Sequence, residues 1–150
     1  MHATLRRTLF GGIPVAFLAD LSLTAMRVFT GLALALAHGL GKVRGAGDPD
    51  GFVQNAPEAM GFPLPVLFGW MAALSEFAGG ILLAVGLLTR VASFFVLSTM
   101  AVAAFYHHMY LQSDPFLGYE RALLFLVIAL QFIVLGGGRF SIDRFIRRNL

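Results

Sequence analysis

Four apolar runs, each about as long as a membrane span, constrain the fold of this chain more than any other feature of its sequence. A hydrocarbon core of about 30 Å is crossed by an α-helix of roughly 20 residues. The runs are too long for strands and lack their polar alternation. Because 58% of the 150 residues are hydrophobic and only 13% are charged, the composition indicates a membrane protein. We therefore predict an all-α fold, a polytopic membrane four-helix bundle forming a single domain over residues 1–150, with spans at about 21–41, 64–89, 91–111 and 115–136.

The connections between the runs differ in length and composition. Runs two and three are joined by the short segment "LLTR", which predicts a tight helical hairpin. Runs one and two are separated by "VRGAGDPDGFVQNAPEAMGFP", a long link rich in Gly, Pro and Asp. Residues 1–20 are interpreted as an interfacial lead-in, with a cleaved signal as the alternative. Residues 139–150 alternate apolar and basic side chains, which predicts a tail lying on an anionic membrane surface.

The distribution of positive charge predicts the orientation of the bundle. Eight of the 11 Lys and Arg residues fall on the side of the two termini and of the turn between runs two and three. By the positive-inside rule, both termini are expected in the cytoplasm of a bacterial-type inner membrane. The eight are Arg6, Arg7, Arg27, Arg90, Arg139, Arg144, Arg147 and Arg148, and the other side carries Lys42, Arg44 and Arg121.

The residue types also limit the chemistry. The chain has no cysteine, which excludes disulfides, thiolate metal sites and dithiol redox chemistry of its own. The net charge of +3 comes from arginines at the ends of apolar runs, so no nucleic-acid partner is expected. The lipid bilayer is the expected partner, and a homo-oligomer stays open. No metal is expected, because a copper site built from His38, His107, His108 and Met109 would lack both cysteine and a regular His/Met motif.

One carboxylate, Glu76, stands inside the second run. Its four-residue row contains Ala72, Gly80 and Ala84, small residues that allow another helix to approach closely. A carboxylate that faces lipid costs several kcal/mol, so Glu76 is expected to face the bundle interior. The predicted topology brings polar residues of all four helices to the same outer layer as Glu76, and these candidates for ligand binding or proton relay are His38, Lys42, Glu120 and His107.

The first helix offers Glu76 a cationic partner. Gly31, Leu34, His38 and Lys42 share one face of an α-helix, so His38 or Lys42 is expected near Glu76. Two interpretations stay open: a buried pair that only fixes helix register, or a site that binds a ligand or exchanges protons. A structural polar role is expected for Arg27, whose long side chain can snorkel to the cytoplasmic surface, and likewise for Arg90, Arg139 and Asp143.

Four segments of the sequence resemble the DoxX family of small four-helix membrane proteins. They are "RVFTGLALALAHGLGK", "EFAGGILLAVGLLTR", "YERALLFL" and "GGGRFSID", and the resemblance covers about residues 27–143. Carried over position by position, the family's marked residues would be Arg27, Gly31, His38, Gly39, Lys42, Glu76, Gly79, Gly80, Gly86, Arg90, Glu120, Gly138, Arg139, Ser141 and Asp143.

The resemblance implies a membrane subunit or accessory linked to quinone-dependent oxidation, with quinone as the suspected cofactor and a redox protein as a partner. Quinone carbonyls need hydrogen-bond donors and their reduction needs protons, which His38, Glu76 and Glu120 could supply. Whether the chain is itself an enzyme stays open. One alternative is a protein that binds or transports a small amphiphile or ion in the same pocket. Another is a scaffold that recruits a redox partner without catalysis.

Overall fold

The computed structural model describes residues 15–106 and 119–150, and the described residues form helices and no strands. This confirms the all-α prediction. The helices are α1 (Val15–Arg44), α2 (Phe52–Ala59), α3 (Pro65–Val85), α4 (Thr89–Tyr106), α5 (Glu120–Leu135) and α6 (Ile142–Asn149).

Three of the described helices, α1, α3 and α4, are long and apolar enough to cross a membrane. Many of their large apolar side chains point outward, as contact with lipid requires; Phe29 is 75% exposed, for example. The described part of the predicted fourth span is α5, with 16 residues, and residues 115–118 lie outside the described ranges. The chain is therefore a multi-pass membrane protein.

The first helix is longer than predicted. The sequence indicated a span at about 21–41, but α1 runs from Val15 to Arg44 and takes in the end of the segment that we interpreted as an interfacial lead-in. Its middle, Ala33–Gly39, is a π-helix, with α-helix on either side. Each π turn holds more residues than an α turn, so the π segment changes which side chains share a face.

The tight hairpin between α3 and α4 is present, and a glycine sets its position. Gly86 adopts φ +75°, a conformation that favours glycine. Its amide donates to the Leu83 carbonyl at 3.1 Å, and the Leu87 amide donates to the Leu82 carbonyl at 3.0 Å. This Schellman arrangement ends α3 at Val85, four residues before the predicted end of the second run.

The backbones of α1 and α3 touch at glycines. A Cβ atom on Gly80 would lie 2.7 Å from the Gly31 carbonyl oxygen and 2.8 Å from the Ala35 nitrogen. A Cβ atom on Gly39 would lie 2.7 Å from the carbonyl carbon of Glu76. The two helices can approach this closely only because side chains are missing at these positions.

Helix α5 completes the packing of the described spans. Helix α5 lies against α4, and one apolar core joins α1, α3, α4 and α5. Its buried members are Leu34, Leu83, Val96, Met100, Ala129 and Phe132.

The long link between α1 and α3 contains a helix that the sequence did not predict. The sequence indicated only a long link rich in Gly, Pro and Asp, but Phe52–Ala59 forms α2. Val53 and Pro57 are buried one turn apart on one face, and the Val53 backbone packs against Gly69 of α3. A Cβ atom on Gly69 would lie 2.7 Å from the Val53 Cα. This tertiary contact outweighs the poor local helix propensity.

Adjacent glycines on α3 provide a test of the α1–α3 contact. We expect Gly80→Ala to lower the melting temperature in detergent, because overpacking costs about 1–3 kcal/mol. Gly79→Ala is the matched control: its Cβ would find Val96 Cγ2 at 3.5 Å, an ordinary contact. In a helix that change stabilises by about 0.5–1 kcal/mol. Equal melting temperatures for the two variants would contradict the packing described.

Candidate functional site

Glu76 forms an ion pair with Lys42 across the α1–α3 contact. Lys42 Nζ donates to Glu76 Oε1 at 2.7 Å and lies 2.6 Å from Oε2. The Glu76 side chain is 3% exposed and that of Lys42 is 23% exposed. The carboxylate is therefore inside the protein, with its cation at the edge of solvent or lipid headgroups. Oε2 has no hydrogen bond of its own among the described residues.

The backbone geometry of α1 brings Lys42 to this position. Gly39 rests on the backbone of α3 at Glu76 and Phe77, which leaves no room for a side chain at that turn. One turn later, the Lys42 side chain reaches the carboxylate. The ammonium group also lies 4.1 Å from the centroid of the Phe52 ring, a cation–π contact with α2. Lys42 thus links α1, α2 and α3.

A cavity of about 380 Å³ opens beside the ion pair, between the end of α1, α2, α3 and α4. Lys42 and Glu76 line it and are its only described charged lining residues. Most of the rest of the lining is apolar, and the bulkiest of these side chains are Phe52, Met60, Phe62, Phe68 and Met71.

Two of these rings lie together, with the centroids of Phe62 and Phe68 4.5 Å apart and the planes tilted by 34°. Met71 and Val102, which also line the cavity, are 46% and 41% exposed. The exposed flanks of α3 and α4 thus reach the cavity.

A hydroxyl pair lies along the α3–α4 side of the cavity. Ser75 Oγ donates to the Ala72 carbonyl at 2.9 Å and lies 2.6 Å from Thr99 Oγ1. Because the Ser75 hydroxyl has one hydrogen and gives it to Ala72, Thr99 is the donor in the bond between the two hydroxyls. Thr99 lines the cavity and Ser75 is buried behind it. The hydroxyl pair fixes the rotamer of Thr99, and the Thr99 oxygen keeps a lone pair that can accept a hydrogen bond.

The other predicted site residues do not join Lys42 and Glu76. His38 turns toward α5, where its ring meets Phe125 edge to face at a centroid distance of 5.6 Å. The π segment explains this placement, because His38 no longer shares the face that a regular helix would give it. Glu120 begins α5 and is absent from the described lining. His107 lies outside the described residues, as do His108 and Met109.

Arg27 belongs to a separate polar cluster at the other end of α3. It is 1% exposed and does not reach the surface as its length had suggested. Nη1 donates to the carbonyls of Leu83 and Ala84, both at 2.8 Å, and Nη2 donates to the Phe140 carbonyl at 2.9 Å. The last carbonyls of a helix lack partners within it, so the guanidinium satisfies the end of α3 and ties it to the segment before α6.

Asp143 performs the same task for the start of α4. Its oxygens accept hydrogen bonds from the Leu88 amide at 2.7 Å and the Thr89 amide at 2.9 Å. Burial alone would raise the pKa of Asp143, but the Thr89 side chain, these two amides and the charge of Arg147 together hold that pKa below its usual range. The carboxylate is therefore ionised at neutral pH and caps α4 from a distant part of the chain.

The remaining two structural candidates also contact neighbouring elements. Arg90 Nη2 donates to the Val134 carbonyl near the end of α5 at 3.1 Å. Arg139 lies 4.0 Å from the Asp20 carboxylate of α1, with both side chains partly exposed. Exposed pairs at this distance contribute little stability, so Arg139 is a weaker tie than Arg27.

Sequence reasoning missed the contributions of α2 and of the hydroxyl pair. Phe52 lies in the long link between the first two runs, where no helix was predicted, and nothing in its local pattern indicates a contact with a lysine. Ser75 and Thr99 carried a usable signal: each is a hydroxyl residue in an apolar run, and such residues often form hydrogen bonds between membrane helices.

Comparison with protein families agrees with this architecture. The DoxX family model matches residues 22–109, more than half of the chain. The chain belongs to the DoxX family. The DoxX match contains the Lys42–Glu76 pair and every described residue that lines the cavity, whereas α5 and α6 lie beyond it. No match was found among curated proteins or among solved structures.

The ion pair predicts an asymmetric response to mutation. Lys42→Met leaves a buried carboxylate without its cation, which costs on the order of 3 kcal/mol. Glu76→Gln leaves a partly exposed ammonium that can turn outward, so the loss of unfolding free energy should be smaller. The double variant should recover much of the loss caused by Lys42→Met. Denaturant unfolding in mixed micelles measures all three, with exposed Arg44→Met as the control for charge. Strictly additive effects would show that the two side chains do not interact.

Proposed function

We propose that this DoxX-family protein binds the headgroup of a quinone in the cavity beside Lys42 and Glu76, as an accessory or subunit of a quinone-linked redox system. The observation that carries the proposal is one charged pair, the only one among the described lining residues, on the wall of a mostly apolar, aromatic-rich cavity with an exposed rim. Such a cavity suits a flat apolar ring with polar atoms at its edge.

The size and the chemistry of the cavity fit a quinone ring. Its volume of about 380 Å³ lies in the range of small-molecule sites. Phe62 and Phe68 offer ring faces and edges for stacking. A quinone carbonyl is a hydrogen-bond acceptor, and Lys42 is a donor with three N–H groups, of which one is given to Glu76 Oε1. A hydrophobic quinone tail could leave past Met71 or Val102 into lipid.

Glu76 would hold a proton site next to the bound ring. Glu76 lines the cavity, and Lys42 Nζ lies 2.7 Å from its Oε1 and 2.6 Å from its Oε2, so the ion pair would stand beside the ring. A bound quinone would supply two-electron, two-proton redox chemistry. In this proposal the chain binds and orients the ring beside the Lys42–Glu76 pair, the Glu76 carboxylate is the nearest group for proton exchange, and the electrons come from a redox protein partner.

The cavity itself supports the first alternative, a protein that binds or moves another small amphiphile. Neither the apolar wall nor the exposed rim requires the ligand to be a ring with a hydrogen-bond acceptor. The quinone proposal predicts that a benzoquinone binds saturably and that a quinone co-purifies with the protein from the membrane, and the amphiphile alternative predicts neither. The scaffold reading instead requires a stoichiometric protein partner and no small ligand.

Filling the cavity tests the quinone proposal. Ala72 lines the cavity on α3, so Ala72→Leu should weaken binding of decyl-ubiquinone about tenfold or more, as overpacking of 1–3 kcal/mol implies. Ala78→Leu is the matched control, because Ala78 is exposed on the same helix and lines none of the described cavities. Isothermal titration of the full chain in detergent measures the affinity.

The outcomes separate the readings. If Ala72→Leu binds decyl-ubiquinone with unchanged affinity and melts at the same temperature as the control, quinone does not bind in this cavity. No saturable binding to the wild type, together with another co-purified molecule in extracts analysed by mass spectrometry, would favour the amphiphile reading. A stoichiometric protein partner without any small ligand would favour the scaffold.

We further propose a four-span bundle in the plasma membrane with both termini in the cytoplasm. Arg27, Arg90 and Arg139 contact the same end of the described helices, where α6 and its arginines also lie, and Lys42 and Arg44 are at the other end of α1. The excess of basic residues at the first end supports a cytoplasmic location for it. The cavity would then open in the outer half of the membrane.

Thiol labelling tests this orientation cleanly, because the chain has no cysteine. In intact cells, an impermeant maleimide should label Gly47→Cys, in the turn after α1. Asn149→Cys, at the end of α6, should react only after the membrane is permeabilised. Both positions are exposed, so access alone decides the result. Labelling of Asn149→Cys but not of Gly47→Cys in intact cells would reverse the orientation.

A further inference from the structure

A second cavity, of about 480 Å³, lies at the opposite end of the molecule from the ion pair, among the α3–α4 turn, the end of α5 and α6. Arg90 of α4 and Arg147 of α6 both line it, together with Gly136 and Gly137 after α5. Two guanidinium groups from different helices therefore share one concave surface, where the glycines add no side-chain bulk.

Arg90 and the helix that carries Arg147 are each held by contacts with other elements. Arg90 Nη2 donates to the Val134 carbonyl, which holds the side chain along the end of α5. Arg147 is carried by α6, and Asp143 ties α6 to the hairpin through its bonds to Leu88 and Thr89. The Asp143 amide also donates to the Gly86 carbonyl at 2.9 Å. The cleft is thus held together by hydrogen bonds between helices that are far apart in sequence.

Asp143 also lines this cleft, and neighbouring groups partly offset its negative charge. Both oxygens accept amide hydrogen bonds from the start of α4, where the helix dipole is positive. The charge of Arg147 also contributes to holding the pKa of this carboxyl below its usual range. Arg90 and Arg147 have no carboxylate within ion-pair distance among the described residues. Their charges are available to an anion.

The rim of the cleft is apolar and exposed. Leu88, Val91, Leu135 and Ile146 are all exposed, and all four line the cleft. A free phosphate ion would make no favourable contact with these aliphatic side chains, whereas the acyl chains next to a lipid headgroup would pack against them. The two arginines set beside exposed aliphatic side chains match the amphipathic chemistry of a phospholipid.

Helix α6 extends this surface. Phe145 is 70% exposed, and Arg144 and Arg148 flank it along the short helix. A helix with basic residues and exposed apolar residues lies in the interface of a membrane, with its apolar side chains among the acyl chains. Asp143 holds α6 against the ends of the spans, which is the depth at which lipid headgroups are found.

We propose that the cleft lined by Arg90 and Arg147 binds the phosphodiester headgroup of an anionic phospholipid, whose acyl chains run along Val91, Leu135 and Ile146. The lipid holds the hairpin, the end of α5 and α6 together from outside. This site is independent of the quinone proposal. The proposed orientation of the protein decides only which leaflet of the membrane supplies the lipid.

Native mass spectrometry of the full chain, released from nanodiscs of phosphatidylcholine with a minor fraction of phosphatidylglycerol, tests the site. The wild type should retain phosphatidylglycerol in preference to phosphatidylcholine. Arg147→Gln should lower that preference about fivefold, as expected for one basic residue at an anionic surface. Arg148→Gln is the matched control, because it removes the same charge from the next position of α6 and lies outside the described lining.

A second variant guards against effects on folding. Arg90→Lys keeps the charge but loses the planar fork that can bind two phosphate oxygens, so the preference should fall while the melting temperature stays within a few degrees. If Arg148→Gln reduces the preference as much as Arg147→Gln, the lipid responds to net charge alone and the cleft is not the site. If millimolar inorganic phosphate removes the preference, the cleft is a free-anion site. Equal retention of the two lipids by the wild type would also overturn the proposal.

Discussion

The backbone contact between α1 and α3 is the constraint on which the rest of the structure depends. Gly31, Gly39 and Gly80 let the two helices touch without intervening side chains. Because the two backbones touch, the end of α1 covers Glu76, and Lys42 comes close enough to donate a hydrogen bond to the Glu76 carboxylate. A larger side chain at any of the three glycines would separate the helices and leave a carboxylate in the membrane without its cation, which is costly.

The two ends of the bundle solve the same physical problem in different ways. A bilayer offers no water to satisfy buried polar groups, so each must find a partner inside the protein. At one end an ion pair neutralises Glu76, and a shallow cavity beside it stays open. At the other end Arg27 and Asp143 satisfy backbone groups at the adjoining ends of α3 and α4, which closes the hairpin tightly. The first arrangement leaves a cavity open, and the second stabilises the connection between two of the helices that line it.

Helix α2 makes the ion pair part of the wall of a cavity. It is short and would be unstable alone, but Val53 docks on Gly69 and Phe52 lies over the Lys42 ammonium. These contacts place an aromatic wall across the cavity from α4. The cavity is therefore assembled from elements far apart in the chain, and its chemistry combines one charged pair with rings, methionines and a fixed hydroxyl at Thr99.

The sequence by itself determined the membrane class, the helical fold and the approximate location of the described spans, because partition into lipid and helix length depend on composition over about 20 residues. It also indicated that Gly80 lies at a close helix contact and that Glu76 faces inward. Only the tertiary structure decided that Lys42, not His38, reaches Glu76, since a π segment changes the phase of α1 in a way that an α-helical pattern does not contain. The same holds for α2 and for the burial of Arg27. Both depend on contacts with residues 16 to 113 positions away, as between Val53 and Gly69 or Arg27 and Phe140, and local sequence carries no information about such distant partners.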